Sequence, residues 1–270
     1  MIILKDLNNQ EIDLQAYGLT CLSFIPESLS PSFQEENNEY TDGTIIAGTK
    51  INSRILKTKF WMKAADHVDY QMLRDEIYRL FDPRKQYFII DKRQPGKRWI
   101  ARNSTLFTPE YINPKTGQFE LNFFSEKPYA QSIGSTLNLF TFDSNLWQVG
   151  QGLVLEDVSY IHETTTFRIF NAGTEVVNPE RNPLIIRYTG PSDNLEIRNL
   201  STLDTWKYHK TTVQADTLEI NRTRSLKNGV NVFNDTNRGL ISLDPGWNEF
   251  KLSGTSGSFE ISFDFRFYYV

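Results

Sequence analysis

The last stretch of the chain, GSFEISFDFRFYYV from Gly257 to Val270, alternates with a period of two. Phe259, Ile261, Phe263, Phe265, Phe267 and Tyr269 share one parity, and Ser258, Glu260, Ser262, Asp264, Arg266 and Tyr268 the other. Successive side chains of a strand point to opposite faces, so the pattern predicts one long strand with an aromatic face. The same period marks MIILKD and EIDL, a hairpin around Leu7–Gln10, and then TCLSFIP, INSRILKTKFWM, YFIID, RWIARNSTLF and QFELNFF. Pro95-Gly96 suits the centre of a type II turn joining two of these strands. Beyond residue 160, TFRIFNAGTEV, PLIIRYTG, LEIRNL, TWKYHKT, DTLEINRT, VNVFN, GLISL and EFKLSG recur about every 8–12 residues, the rhythm of an all-β sandwich.

One segment departs from that rhythm. In DHVDYQMLRDEIYRLF, positions Val68, Met72, Leu73, Ile77, Leu80 and Phe81 follow a three-to-four spacing, which predicts a helix over about 66–81. Asp66 is placed to cap its start, and Asp82-Pro83 ends it because proline disfavours helical backbone in the residue before it. A second departure runs from Glu27 to Lys50, where no period holds and Glu35-Glu36 begins an acidic run. A segment that long without pattern predicts an extended arm ordered by a partner, or a surface loop. KPYAQSIGS, Lys127–Ser135, mixes proline with small polar residues and predicts a boundary between domains 1–132 and 133–270.

Composition narrows the class. The 270 residues are 39% hydrophobic and 13% aromatic, enough for buried cores, and the net charge of −4 gives no general attraction to nucleic acid or anionic membrane. The first residues lack the pattern of a signal peptide, and no apolar run approaches the roughly 20 residues of a membrane span. Cys21 is the single cysteine, so no intrachain disulfide is available, consistent with assembly in a reducing cytoplasm.

Searching for chemistry yields little. His67, His162 and His209 are far apart and make no zinc-type pair, so no metal or cofactor site is expected. Cys21 reads as a small core residue rather than a nucleophile. No phosphate loop, dinucleotide fingerprint or nucleophile elbow occurs, and the chain is not expected to be an enzyme. Arg84, Lys85, Lys92, Arg93, Lys97, Arg98 and Arg102 make the region around Pro95-Gly96 basic, suited to an acidic protein surface or to solvent. Trp206 and Tyr208, with Trp147 and Trp247, supply core aromatics or, in the alternative reading of a carbohydrate-binding module, a platform for host glycans.

The order of these elements resembles the distal tail protein family of siphophages that infect Gram-positive bacteria. The helix followed by YFIID, the KRQPGKRW turn and the LDPGWNEFKLSG stretch carry the resemblance, which touches both halves of the chain. It implies a mainly β fold: an N-terminal sandwich-like domain with one helix and a belt hairpin over about 27–50, then a galectin-like sandwich. It further implies a homohexameric ring at the virion's tail tip, assembled in the host cytoplasm, that joins the tail tube protein to a tail-associated lysin or fibre-type protein around a DNA channel. Receptor-binding protein or host glycan are further partners in that family; membrane and sequence-specific nucleic acid are not expected. On this reading the subunit interface draws on Phe33, Glu35, Glu36, Tyr40, Ile45 and Ile46 of the belt, facing Lys97 and Arg98.

Overall fold

Alternating buried and exposed positions along Arg54–Lys63 and Thr116–Ser125 build the longest ladder of the first half, in a computed structural model that describes residues 1–36, 43–138, 146–153 and 158–270. The chain divides into two units, Met1–Ala130 with Val270, and Gln131–Tyr269.

The first unit contains β1 (Ile2–Lys5), β2 (Glu11–Ile12), β3 (Leu19–Pro26), β4 (Pro31–Glu36), β5 (Ile45–Ile51), β6 (Arg54–Lys63), α1 (Asp69–Leu80), β7 (Tyr87–Asp91), β8 (Lys97–Asn103), β9 (Glu110–Asn113) and β10 (Thr116–Ser125). Its main sheet runs β2-β1-β7-β8-β10-β6-β3, with β9 on β10, while β4 and β5 pair only with each other. Leu56, Phe60 and Met62 of β6, with Phe119, Leu121 and Phe123 of β10, line one core together with Leu19, Phe24 and Ile89. Within it Phe60 meets Phe119 at 5.4 Å and Phe81 at 5.3 Å between ring centroids, separations at which aromatic pairs attract.

The helix departs from expectation at its start. Regular α1 begins at Asp69, and Val68 occupies the cap position without a side-chain hydrogen bond. Asp66 caps the preceding turn instead, accepting from the Val68 and Asp69 N–H groups, each at 2.8 Å, while Asp69 accepts from Ala65 N–H. The buried stripe is Tyr70, Leu73, Ile77 and Leu80, whereas Val68 and Met72, assigned to it from spacing, are exposed. Tyr70 competes with them and wins because it shares the three-to-four register of Leu73 and Ile77. Asn103 then ties the far end of α1 to β8, its amide donating to the Phe81 carbonyl at 3.0 Å. The turn at Pro95-Gly96 closes through Lys97 N–H on the Gln94 carbonyl at 3.1 Å.

After β11 (Ala130–Ser132), the second unit contains β12 (Ile161–His162), β13 (Thr166–Asn171), β14 (Leu184–Thr189), β15 (Ser192–Asn199), β16 (Thr205–Lys207), β17 (Thr211–Thr212), β18 (Thr217–Asn221), β19 (Arg224–Lys227), β20 (Val230–Asn231), β21 (Gly246–Thr255), β22 (Glu260–Phe265) and β23 (Tyr268–Tyr269). One sheet runs β12-β22-β14-β18-β19-β20 and the other β13-β21-β15-β16, with β17 on β15. Their inner faces meet: Phe250 of β21 lies 4.9 Å from Phe263 of β22, and the Trp206 indole donates to Ser225 Oγ at 3.1 Å. GLISL, expected as a strand, makes only a bridge from Leu243 to Val177.

The closing stretch is two strands rather than one, interrupted at Arg266–Phe267. There the Phe267 N–H donates to Ser132 Oγ and its carbonyl accepts from the Ser132 N–H, so the backbone leaves its ladder for the entering chain. The alternation fails with it, because Phe267, Tyr268 and Tyr269 are all buried. Phe60→Ala should lower the stability of the first unit by about 3–5 kcal/mol, read from urea unfolding, because it removes a fully buried ring between two others.

Candidate assembly surface

The arm between β3 and β6 grows from the core rather than from a free loop. The β3–β6 ladder ends with Pro26 opposite Leu56, continues through Glu27 N–H on the Ile55 carbonyl and Asn52 N–H on the Ser30 carbonyl, and becomes the β4–β5 ladder at Pro31 opposite Ile51. Arg54 fixes its base. This side chain is 9% exposed, its Nε donates to the Glu27 carbonyl at 2.6 Å, and its guanidinium lies 5.0 Å over Trp99. Lys57 adds an ion pair to the Glu27 carboxylate at 2.6 Å.

Past that base the described residues of the ribbon are largely exposed. Every residue of β4 is exposed, and Phe33, Ile45 and Ile46 stand 48%, 59% and 57% exposed. A bulge between Gln34 and Glu35 sets Glu35 opposite Ile46 and Glu36 opposite Ile45. Opposed residues share a face, so each face of the outer ribbon pairs one isoleucine with one glutamate. The structure thus gathers Phe33, Glu35, Glu36, Ile45 and Ile46 onto one arm; Tyr40, expected with them, lies outside the described residues. A lone two-stranded ribbon is marginal in water, and exposed apolar groups along it mark a contact surface.

The basic segment is less open than its sequence suggests. Arg84 holds Asp82 at 2.5 Å, Arg93 holds Asp91 at 2.7 Å, and Arg102 holds Glu126 at 2.5 Å. The Arg98 guanidinium lies 4.0 Å over the Phe88 ring, and Lys97 is half-buried, which pulls its ammonium pKa down. Sequence reasoning missed these pairs because Asp82 read as the stop of the helix and Asp91 as the end of the YFIID strand.

The other candidates are structural. Trp206 and Tyr208 are 1% and 2% exposed, so they do not form the surface platform considered for glycans; opposite-sheet packing claims them. Cys21 is buried, burial pushes its thiol pKa up, and its Sγ donates to the Ser23 carbonyl at 3.3 Å. His67 and His209 are exposed, and His162 stacks on Phe167 at 4.4 Å. Among the described residues no three potential metal ligands converge, and no helix is long and apolar enough to cross a membrane.

Asp82 offers a direct check on the electrostatics. The Arg84 side chain and then its backbone N–H hold the carboxyl well below the usual range. A carboxylate with a depressed folded pKa stabilises above its unfolded pKa, about 3.9, and that contribution is lost as pH falls through the folded value. Asp82→Asn should therefore lower the melting temperature at pH 7, with the gap from the parent closing as melts are repeated from pH 4 towards 2.

Residues 12–125, which contain the arm and its anchoring ladder, match the family described as phage tail protein RIFT-related domain. No curated protein matches the chain. Among solved structures, the SPP1 Dit (gp 19.1) protein, described as a paradigm of the hub adsorption apparatus in phages infecting Gram-positive bacteria, superposes with a TM-score of 0.72. That alignment covers 99% of each chain at 16% identity. Two structures of the phage p2 baseplate in its activated conformation, with Sr and with Ca, align over 98% and 99% of this chain and 98% of theirs at 11% identity, but with TM-scores of 0.43 and 0.44. Residues 12–125 are thus similar to the phage tail proteins with a RIFT-related domain, and over its length the chain shares the fold of SPP1 Dit.

Proposed function

We propose that the protein is the hub of a siphophage tail tip: a homohexameric ring that joins the tail tube to the tail-associated protein around a DNA channel. The observation that carries this is the end-to-end fold match with SPP1 Dit, 99% of both chains, joined to a family match in the half that bears the arm. The role is structural, and no catalytic group is needed for it. The first unit closes the ring, with the β4–β5 arm as its belt, and the second unit is a sandwich. Assembly takes place in the host cytoplasm before the virion is released.

The physical case rests on what the arm lacks. A closed ring is built from head-to-tail contacts, in which one surface of a protomer meets a different surface of the next. Full burial of Phe33, Ile45 and Ile46 would contribute up to about 1.5–3 kcal/mol each. Association costs of about 4–15 kcal/mol oppose this, so the ring should depend on concentration.

Native mass spectrometry should find a species about six times the 31.4 kDa chain, growing with concentration. Replacing residues 31–51 by a short Gly-Ser linker should leave the first unit folded by circular dichroism and abolish that species. A parent protein that stays monomeric at high concentration counts decisively against the ring.

A further inference from the structure

Arg54 carries a charge that its own fold does not neutralise. The side chain is 9% exposed and lines a pocket of about 450 Å³, together with Phe24 and Pro26 of β3 and Lys97 and Trp99 of β8. Its Nε donates to the Glu27 carbonyl at 2.6 Å and its Nη1 to the Pro128 carbonyl at 3.2 Å. Carbonyl oxygens satisfy those N–H groups but do not cancel a positive charge. Among the described residues no carboxylate pairs with Arg54: that of Glu27 is taken by Lys57 at 2.6 Å, and Asp91, on the pocket wall, is held by Arg93 at 2.7 Å.

Taking a guanidinium out of water without a counterion is unfavourable. Burial accordingly pulls the Arg54 pKa down, with no acidic group raising it. A guanidinium has five N–H donors in a planar fork, of which the two carbonyls occupy two. The fork suits two oxygens of one anion, and the Trp99 ring, 5.0 Å away, braces its plane. Half-buried Lys97 brings a second cation to the same walls. Arg93 is less available, since its guanidinium is already filled by the Asp91 carboxylate and the Phe24 carbonyl. The pocket is also roomy, well above the roughly 30 Å³ share of one water.

We propose that this pocket is an oxyanion site, in which Arg54 grips two oxygens of one phosphate or carboxylate and Lys97 supplies the second cation. A phosphate would arrive as the free ion or a monoester, a carboxylate as an acidic side chain of another protein. The assignment is independent of the ring proposed above, because every group it uses belongs to the first unit. It also sharpens the basic segment singled out in the sequence: of those seven cations, Lys97 is the one that joins Arg54, a residue from a different strand. Since Arg54 clamps the base of the arm, an anion bound there should stabilise the folded first unit.

Thermal melts and calorimetric titration of the full chain test this, with sodium chloride holding the ionic strength constant while sodium phosphate or sodium acetate is added. At least one of the two should raise the melting temperature saturably and bind in the millimolar range, and the tighter one names the source. Lys97→Met, which keeps an unbranched stem, and Arg54→Lys, which keeps a cation but loses the fork, should each weaken that binding about tenfold. Lys115→Gln, which removes an exposed cation outside the pocket, should leave it unchanged. Phosphate and acetate that do no more than chloride, or pocket variants that bind like the parent, would overturn the site. The parent titration and Lys97→Met decide the matter even where Arg54→Lys does not fold.

Discussion

The ladder between β6 and β10, ten consecutive residue pairs from Arg54 opposite Ser125 to Lys63 opposite Thr116, is the constraint on which the first unit depends. Phe60 and Phe119 are opposed across it, and their rings seed the core that α1 closes. On its other edge β6 holds β3, and that pairing runs on without a break in direction into β4 and β5. The arm is thus the outer part of a ribbon whose inner part is clamped in a core. Along the arm itself the bulge between Gln34 and Glu35 resets the alternation, so that Ile46 is opposite Glu35 and Ile45 opposite Glu36. Arg54, wedged between the Glu27 carbonyl and Trp99, locks the junction.

This arrangement separates two tasks physically. The clamped part has satisfied backbone and packed side chains. The projecting part has a satisfied ladder but unburied side chains, so its free energy is lowered only by another surface. Charge is handled the same way. Arginines that would form a diffuse basic field in an extended chain are held by aspartates two residues away, Arg84 by Asp82 and Arg93 by Asp91. The second unit shows the opposite logic: its aromatics face inward, Phe167, Phe250 and Phe263 bridging the sheets, and its candidate platform rings Trp206 and Tyr208 are consumed by packing.

Sequence alone determined the β class, the single helix and the segment that would stand apart, because period, proline and turn chemistry are local properties that survive without a fold. It set the segment from Glu27 to Lys50 apart by the absence of a period, while Phe33, Glu35, Glu36, Ile45 and Ile46 became interface candidates through the family resemblance. Tertiary structure decided what locality cannot. Tyr70 displaced Val68 and Met72 from the helix stripe, and the final strand broke at Arg266–Phe267 where Ser132 competes for its backbone. Trp206 turned inward because a facing sheet supplied Ser225 for its N–H.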